Sequence, residues 1–284
     1  LYNGFLSGVS LEGDRFFSIN PLEADGEFAF HVSQTKTRTP WFSTPCSPAN
    51  VMRFLPSLPG YVYAKRQKEI LVNLFLPSRA RLPIAGQLVE IEQTTEYPWD
   101  GRTLVTISPE RADSFRVSLR LPSWTDNRAF PTDLYRFQSI TNRKLSFRVN
   151  GELVYPELKN GFASVSRHWK PGDEVELVMP LPIRKVLSHE AVEENQGKVA
   201  LSRGPIVFCV EGQDVVGDLT SFEIPRFGSL QTEFDPEQLG GIQVIRGTTT
   251  DGRSFQAIPY YAWSHRGEGS MKVWLPVKEG AANE

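Results

Sequence analysis

Cysteine is scarce in this chain: 2 thiols in 284 residues, Cys46 and Cys209, cannot make a disulfide scaffold. Long apolar runs are lacking too. No stretch reaches the roughly 18 consecutive apolar residues that cross a bilayer, so a membrane is not an expected partner. Charge of one sign is also missing. The 31 Lys+Arg and 33 Asp+Glu leave a formal net charge of −2, and no basic run is interleaved with aromatics in the way that tracks phosphates, which sets nucleic acid aside. His-x-x-x-His, Cys-x-x-Cys, a Walker-type glycine loop and Gly-x-Ser-x-Gly are all absent. Those absences remove the commonest metal, phosphate and serine-nucleophile chemistries. The opening Leu1-Tyr2-Asn3-Gly4 is not the charged-then-apolar start of a signal peptide. A chain that begins without Met in mid-pattern is expected to be a fragment or processed product, which leaves the compartment open.

What is present suits globular β structure. The chain is 40% hydrophobic and 11% aromatic, enough for substantial cores in about two domains. Its 22 Gly and 21 Pro favour many turns and short strands. From Glu69 onward, alternating or β-branched runs are separated by turn residues. The runs are 70–76, 88–92, 104–107, 115–121, 145–149, 163–166 and 175–179, and alternation in the fourth puts Phe115, Val117, Leu119 and Leu121 on one face. Asp100-Gly101, Asn150-Gly151, Asn160-Gly161 and Pro171-Gly172-Asp173 supply the positive or fixed φ of tight turns. This grammar suits one antiparallel sandwich. Met179-Pro180-Leu181-Pro182 and the polar stretch 188–198 mark a boundary, beyond which 198–210 and 272–275 predict strands of a second β-rich unit.

Residues 1–64 differ in character. Val51, Met52, Phe54, Leu55 and Leu58 have helical spacing, Ser47 is an N-cap candidate and Pro48 suits the first helical position, with Pro56 and Pro59 expected to end or kink the helix early. One short helix cannot bury its apolar face alone, so this part is expected to complete a helical domain supplied by upstream sequence. Cys46 falls just before the proposed cap, where a helix start favours negative charge, yet a lone cysteine there is more often structural. Cys209, inside Ile206-Val207-Phe208-Cys209-Val210, is expected to be a buried core thiol. His31, His168, His189 and His265 are scattered and best explained as surface or turn residues. Glu90 and Glu92 fall on one face of a strand whose other face is apolar, so a solvated face is preferred to a paired-carboxylate site. Most of the 6 tryptophans lie where core packing is the commoner role; Trp41, five residues before Cys46, is the exception.

Several longer stretches occur in a fixed order: Leu1-Tyr2-Asn3-Gly4, Gly13-Asp14-Arg15-Phe16-Phe17, Asn20-Pro21-Leu22-Glu23, and Trp41-Phe42-Ser43-Thr44-Pro45-Cys46-Ser47-Pro48-Ala49-Asn50. Tyr97-Pro98-Trp99-Asp100-Gly101, Gly197 to Pro205 and Ile258-Pro259-Tyr260-Tyr261-Ala262-Trp263 follow. In that order they resemble glycoside hydrolase family 127, the β-L-arabinofuranosidase family, in its C-terminal portion. The resemblance implies a mainly β fold: two β-sandwich-type domains after the C-terminal end of an (α/α)6 barrel. It divides the chain into 1–64 (barrel), 65–188 (middle sandwich) and 189–284 (C-terminal β-rich domain).

By the same resemblance the activity is retaining hydrolysis of β-L-arabinofuranosides or related plant cell-wall sugars. Cys46 matches the catalytic nucleophile and a metal ligand, Ser18 and Trp41 match substrate-binding positions, and zinc is the implied cofactor. The acid/base glutamate and the other zinc ligands would lie upstream of Leu1. Two departures bear on this: Ser47 stands where the family has a zinc-binding cysteine, and Ser18 where many members have tyrosine. The expected partners are a carbohydrate substrate, the upstream barrel segment of the same protein and a second copy in a homodimer. The rival reading is a non-catalytic carbohydrate-binding or assembly sandwich, or an inactive family member.

Overall fold

A computed structural model describes residues 1–17, 19–29, 35–41, 44–142 and 144–278, and within them the chain is mainly β. It divides into two compact units, Leu1–Met52 with Ala129–Ile140 and Pro182–Glu284, and Arg53–Arg128 with Thr141–Leu181.

The second of these is a sandwich. One sheet has six strands in the order Glu152–Leu153, Ser146–Val149, Asp173–Val178, Arg102–Pro109, Gln87–Thr95, Ser78–Ile84. The other has five, in the order Glu157–Lys159, Phe162–Trp169, Asp113–Arg120, Glu69–Val72, Tyr63–Arg66. All pairs are antiparallel except Glu69–Val72 against Asp113–Arg120. Alternation decides which side chains go in. Val89 and Ile91 of one strand, Val105 and Ile107 of its neighbour, and Phe115, Val117 and Leu119 from the other sheet are almost wholly buried. Each such side chain contributes about 1.5–3 kcal/mol of transfer free energy. Leu121, expected on the same face, lies just past the strand end and is half-exposed. Glu90 and Glu92 point outward and pair with Arg81 and Arg79, as the solvated-face reading requires.

Turn chemistry sets the register. Asn150-Gly151 (φ 50° and 81°) and Asn160-Gly161 (φ 52° and 76°) adopt the left-handed pair that closes a two-residue hairpin. Ala85-Gly86 (φ 53° and 77°) does the same without the expected Asn or Asp, which is why the strand Ser78–Ile84 escaped the sequence pattern. Gly101 is needed for a different reason from the positive φ expected of it. A Cβ there would lie 1.8 Å from the Met179 carbonyl oxygen, so the glycine permits a close backbone approach.

The composite unit is built on an eleven-stranded branched sheet. Its main path runs Ile224–Pro225, Trp274–Lys278, Lys198–Arg203, Ile206–Glu211, Ser254–Pro259, Ile242–Thr248, Gln231–Asp235. Ile183–Ser188 adds to Lys198–Arg203 and carries Tyr135–Phe137 on its far edge, while Ser270–Lys272 adds to Ile206–Glu211 and carries Glu23–Asp25. Cys209 sits fully buried in this sheet, opposite Ile258, and burial pushes its thiol pKa well up.

The compact units do not follow the expected division into 1–64, 65–188 and 189–284. Ile183–Ser188 is paired into the second sheet, so that sheet begins before residue 189, and Ala129–Ile140 joins it from within the middle segment. Residues 1–52 pack with the C-terminal strands because specific polar contacts tie them there. The Asn3 side chain donates to Pro205 O (2.9 Å) and accepts from Val207 N (2.9 Å), completing a hairpin turn that has no strand beside it. The Tyr260 hydroxyl donates to Pro21 O (2.7 Å). The α-helices among the described residues are three short ones, Gly4–Ser7, Cys46–Ser57 and Pro59–Val62.

Candidate active site

Cys46 is the first residue of the helix Cys46–Ser57, and its side chain is exposed. Ser47 and Pro48 therefore lie inside the first turn, two positions deeper than a cap at Ser47 would place them. Pro48 is the buried residue of this helix, while Met52 and Leu55 are 65% and 49% exposed. Pro56 is tolerated within the last turn, and the helix ends one residue later. The Cys46 amide donates to Thr44 O (2.9 Å), and the Thr39 hydroxyl donates to Trp41 O (3.0 Å). Trp41 is 64% exposed, so its indole is not used in packing among the described residues.

Thr39 and Phe16 form an antiparallel bridge, with amide–carbonyl bonds of 2.8 and 3.1 Å. The chain leading to Trp41 thus runs beside the chain leading towards position 18. Ser18 itself lies outside the described residues, as do His31 and the pair 42–43 between Trp41 and Cys46.

What fixes this region is a buried joint that the sequence pattern did not reveal. Arg38 is 3% exposed and donates to three backbone carbonyls, Ser7 O (3.1 Å), Trp263 O (2.6 Å) and Tyr261 O (3.2 Å). Its guanidinium lies 5.1 Å from the Phe17 ring centroid, and Phe17 stacks on Trp263 at 5.2 Å and 5°. Burial draws the Arg38 pKa down to about 10, which still leaves it cationic near neutrality. His265, expected at the surface or in a turn, belongs to the same joint. Its Nε2 accepts from the Leu11 amide (3.0 Å) and its Nδ1 donates to Ala262 O (2.9 Å), which fixes one neutral tautomer. Burial first, and then the Arg38 charge, lower its pKa. The signal that could have exposed the joint was the single Arg between Thr37 and Thr39 in a stretch with no helix or strand pattern. Two of its three acceptors, Trp263 O and Tyr261 O, lie more than 200 residues away in the chain, and spacing cannot show that.

The donor set was compared with what zinc requires. Among the described residues no group of three or more His, Cys, Asp and Glu side chains is placed to hold a metal ion. Beside Cys46 stands Ser47, whose hydroxyl is a poor ligand for a borderline-soft cation. The residues present do not by themselves fit the metal, and no chemical step is drawn through it.

Three family models match the chain in order. They are the Beta-L-arabinofuranosidase GH127 catalytic domain at residues 1–60, the Beta-L-arabinofuranosidase GH127 middle domain at 69–181 and the Glycoside hydrolase family 127 C-terminal domain at 183–276. A curated relative, a non-reducing end beta-L-arabinofuranosidase of Bifidobacterium longum subsp. longum, is 26% identical over an alignment covering 96% of this chain and 44% of the relative. Two solved structures are also similar, each covered over 96% of this chain and 44% of its own length. One, a GH127 beta-arabinofuranosidase, is 38% identical with a TM-score of 0.86. The other, a GH127 beta-L-arabinofuranosidase from Geobacillus stearothermophilus T6, is 36% identical with a TM-score of 0.83. The chain thus spans less than half the length of the relatives it matches.

Proposed function

The chain belongs to glycoside hydrolase family 127, and from that membership we propose that the protein containing it hydrolyses β-L-arabinofuranosides, or related plant cell-wall sugars, by a retaining mechanism with Cys46 as nucleophile. One observation carries the assignment of the nucleophile. Cys46 is an exposed thiol at the first residue of a helix, within the stretch that matches the family's catalytic domain, whereas the other thiol is sealed in a sheet.

In this reading the Cys46 sulfur bonds to the anomeric carbon as the glycosidic C–O bond breaks, and a carboxylic acid gives its proton to the departing oxygen. Water then attacks the same carbon with the carboxylate as base, and the thiolate leaves. Two displacements restore the starting configuration. Trp41 and position 18 would flank the sugar, Trp41 by stacking on a ring face. The acid/base, the rest of the barrel wall and any zinc ligands besides Cys46 would come from the part of the protein preceding Leu1.

The test compares the full-length protein with its Cys46→Ala variant on an aryl β-L-arabinofuranoside, with mass spectrometry of the protein during turnover. The expected result is hydrolysis lost in the variant and a glycosyl adduct on the peptide carrying Cys46. Hydrolysis retained by Cys46→Ala would reject the nucleophile. An inactive full-length protein that still binds the sugar would favour the non-catalytic reading, towards which Ser47 in place of the family's cysteine points. The 284-residue chain alone is expected to be inactive, since general acid–base help worth about 10²–10⁴-fold is missing from it.

A further inference from the structure

The outer face of the five-stranded sheet carries a trench that none of the foregoing uses. Register builds it. In one row across the sheet stand Arg66, Glu69, Arg116 and Ser166. In the next stand Ala64, Leu71, Ser118, Ser164 and Glu157. In the third stand Arg120, Phe162 and Lys159. Cross-strand partners share a face, so the short side chains of Ala64, Ser118 and Ser164 in the middle row lie between rows that carry the long Arg66, Glu69 and Arg116 on one side and Arg120, Phe162 and Lys159 on the other. The middle row becomes a floor crossing five strands, roughly 19 Å from first to last at the usual strand spacing. A hollow of about 310 Å³ occupies it, and one of about 390 Å³ adjoins at Arg116.

The Ser118–Ser164 part of the floor is polar and held in place. Ser118 and Ser164 are 0% and 4% exposed, with Ser118 Oγ 2.6 Å from Glu69 Oε1 and 2.8 Å from Ser164 Oγ. A hydroxyl has one proton, and that of Ser118 goes to the carboxylate, so Ser164 donates to Ser118 and keeps its own lone pairs for a ligand. Arg116 is held between Glu69 (3.4 Å) and Glu157 (2.8 Å), which accounts for both carboxylates of the trench. Among the described residues no carboxylate lies within ion-pair distance of Arg66, Arg120 or Lys159. A chain with a formal net charge of −2 thus concentrates unpaired positive charge along a groove otherwise lined by hydroxyls, carboxylates and the half-exposed Phe162.

We propose that this trench is a binding site for an oligosaccharide that carries carboxylates. Its hydroxyls would meet Ser164, Glu69 and Glu157, and its carboxylates Arg66, Arg120 and Lys159. Phe162 offers one apolar ring edge for a sugar face. Charge complementarity selects an acidic over a neutral glycan, and short side chains on the floor select a ligand that lies across the strands. No residue of the trench belongs to the compact unit that carries Cys46, and the site does not depend on the assignment of the nucleophile.

The test uses the full-length protein and calorimetric titration at low and high salt. The probes are a de-esterified hexagalacturonate, a neutral xylan hexamer and a hexameric deoxythymidylate. Hexagalacturonate is expected to bind, more weakly in salt, and the exposed double variant Arg66→Ser/Lys159→Ser to bind it about tenfold more weakly because charge-assisted contacts are lost. Ser164→Leu, which fills the floor, is expected to abolish binding with the unfolding temperature within a few degrees of the parent. Equal affinity for the xylan hexamer would overturn the acidic class, and equal affinity for deoxythymidylate would mean a general polyanion site. No binding at all, as when preceding chain covers the trench, or binding unaffected by either variant would overturn the site itself.

Discussion

In the sandwich unit the contacts that close the fold are apolar: Val89, Ile91, Val105, Ile107, Val117 and Leu119 are fully buried and meet between two sheets. In the composite unit, long-range closure is entrusted to polar and charged side chains. Arg38 ties three carbonyls together, Asn3 completes a hairpin, and Arg266 bridges Glu211 and Asp214, whose side chains are 6% and 5% exposed. Apolar closure is local and repetitive, and it degrades gradually when trimmed. Polar closure is sparse and all-or-none, because removing one partner strands the others without water. The composite unit should therefore be the more sensitive to single substitutions and to pH, and it is the unit that holds Cys46.

The severest test of that contrast is Arg266→Leu. It leaves Glu211 and Asp214 buried and facing one another with no cation, and removal of one partner from such a network costs about 3–5 kcal/mol. Arg266 also donates to Gln238 (2.9 Å), so a third side chain loses one of its partners and keeps Gln256 and Asp235. The expected outcome is a large fall in the urea midpoint. A loss below about 1 kcal/mol would mean that water replaces the arginine, as at a surface pair, and the contrast would collapse. In the sandwich, Ile91→Val should cost only about 0.5–1.5 kcal/mol, with the same cost at every pH.

A smaller effect sharpens the comparison through pH. His265 is half-buried and held neutral, with its folded pKa below the unfolded value of about 6.5. The unfolded chain therefore takes up this proton first as pH falls. The contribution of His265 to stability is complete above about pH 6.5 and is lost as pH drops through the lowered folded value. Thermal unfolding between pH 7.5 and 5 should fall more steeply in the parent than in His265→Gln. Equal slopes would show that the ring is solvated when the joint opens to acid.

The same contrast explains what could be read from sequence. All seven strand runs expected between 70 and 179 occur in the sandwich with shifted ends, because period-two alternation there records burial directly. The strands that escaped have other reasons. Glu152–Leu153 and Glu157–Lys159 are edge strands without a buried residue, and Ser78–Ile84 alternates with arginine and closes through an Ala-Gly turn. In the composite unit Gln231–Asp235 has no buried side chain and Ser254–Pro259 buries five in a row, so neither alternates. Cys46, Trp41 and Ser18 were reachable through a motif, since the sequence order of whole stretches carried the resemblance. Arg38, His265 and the trench on the sandwich were not, because each exists only once distant strands are in register.

The last and smallest effect separates the two thiols of the composite unit. Cys46 is exposed on a helix with little packing of its own, so Cys46→Ser should change stability by no more than about 0.5 kcal/mol, as for surface positions generally. Cys209 is enclosed by its sheet, and its pKa is raised by burial first and then by the charges of Glu211 and Asp214. Alkylation needs both access and thiolate, and Cys209 has neither. Iodoacetamide followed by peptide mapping should label Cys46 in the native protein and reach Cys209 only with unfolding. Because Cys209 lies two residues before Glu211, the Arg266→Leu variant should raise its labelling rate if polar closure is what seals this part of the sheet. Native labelling of Cys209 at the rate of Cys46 would show that the sheet opens readily in the parent. Unchanged protection of Cys209 in Arg266→Leu would show that the apolar neighbours of the strand suffice, and the composite unit would then be closed in the same way as the sandwich.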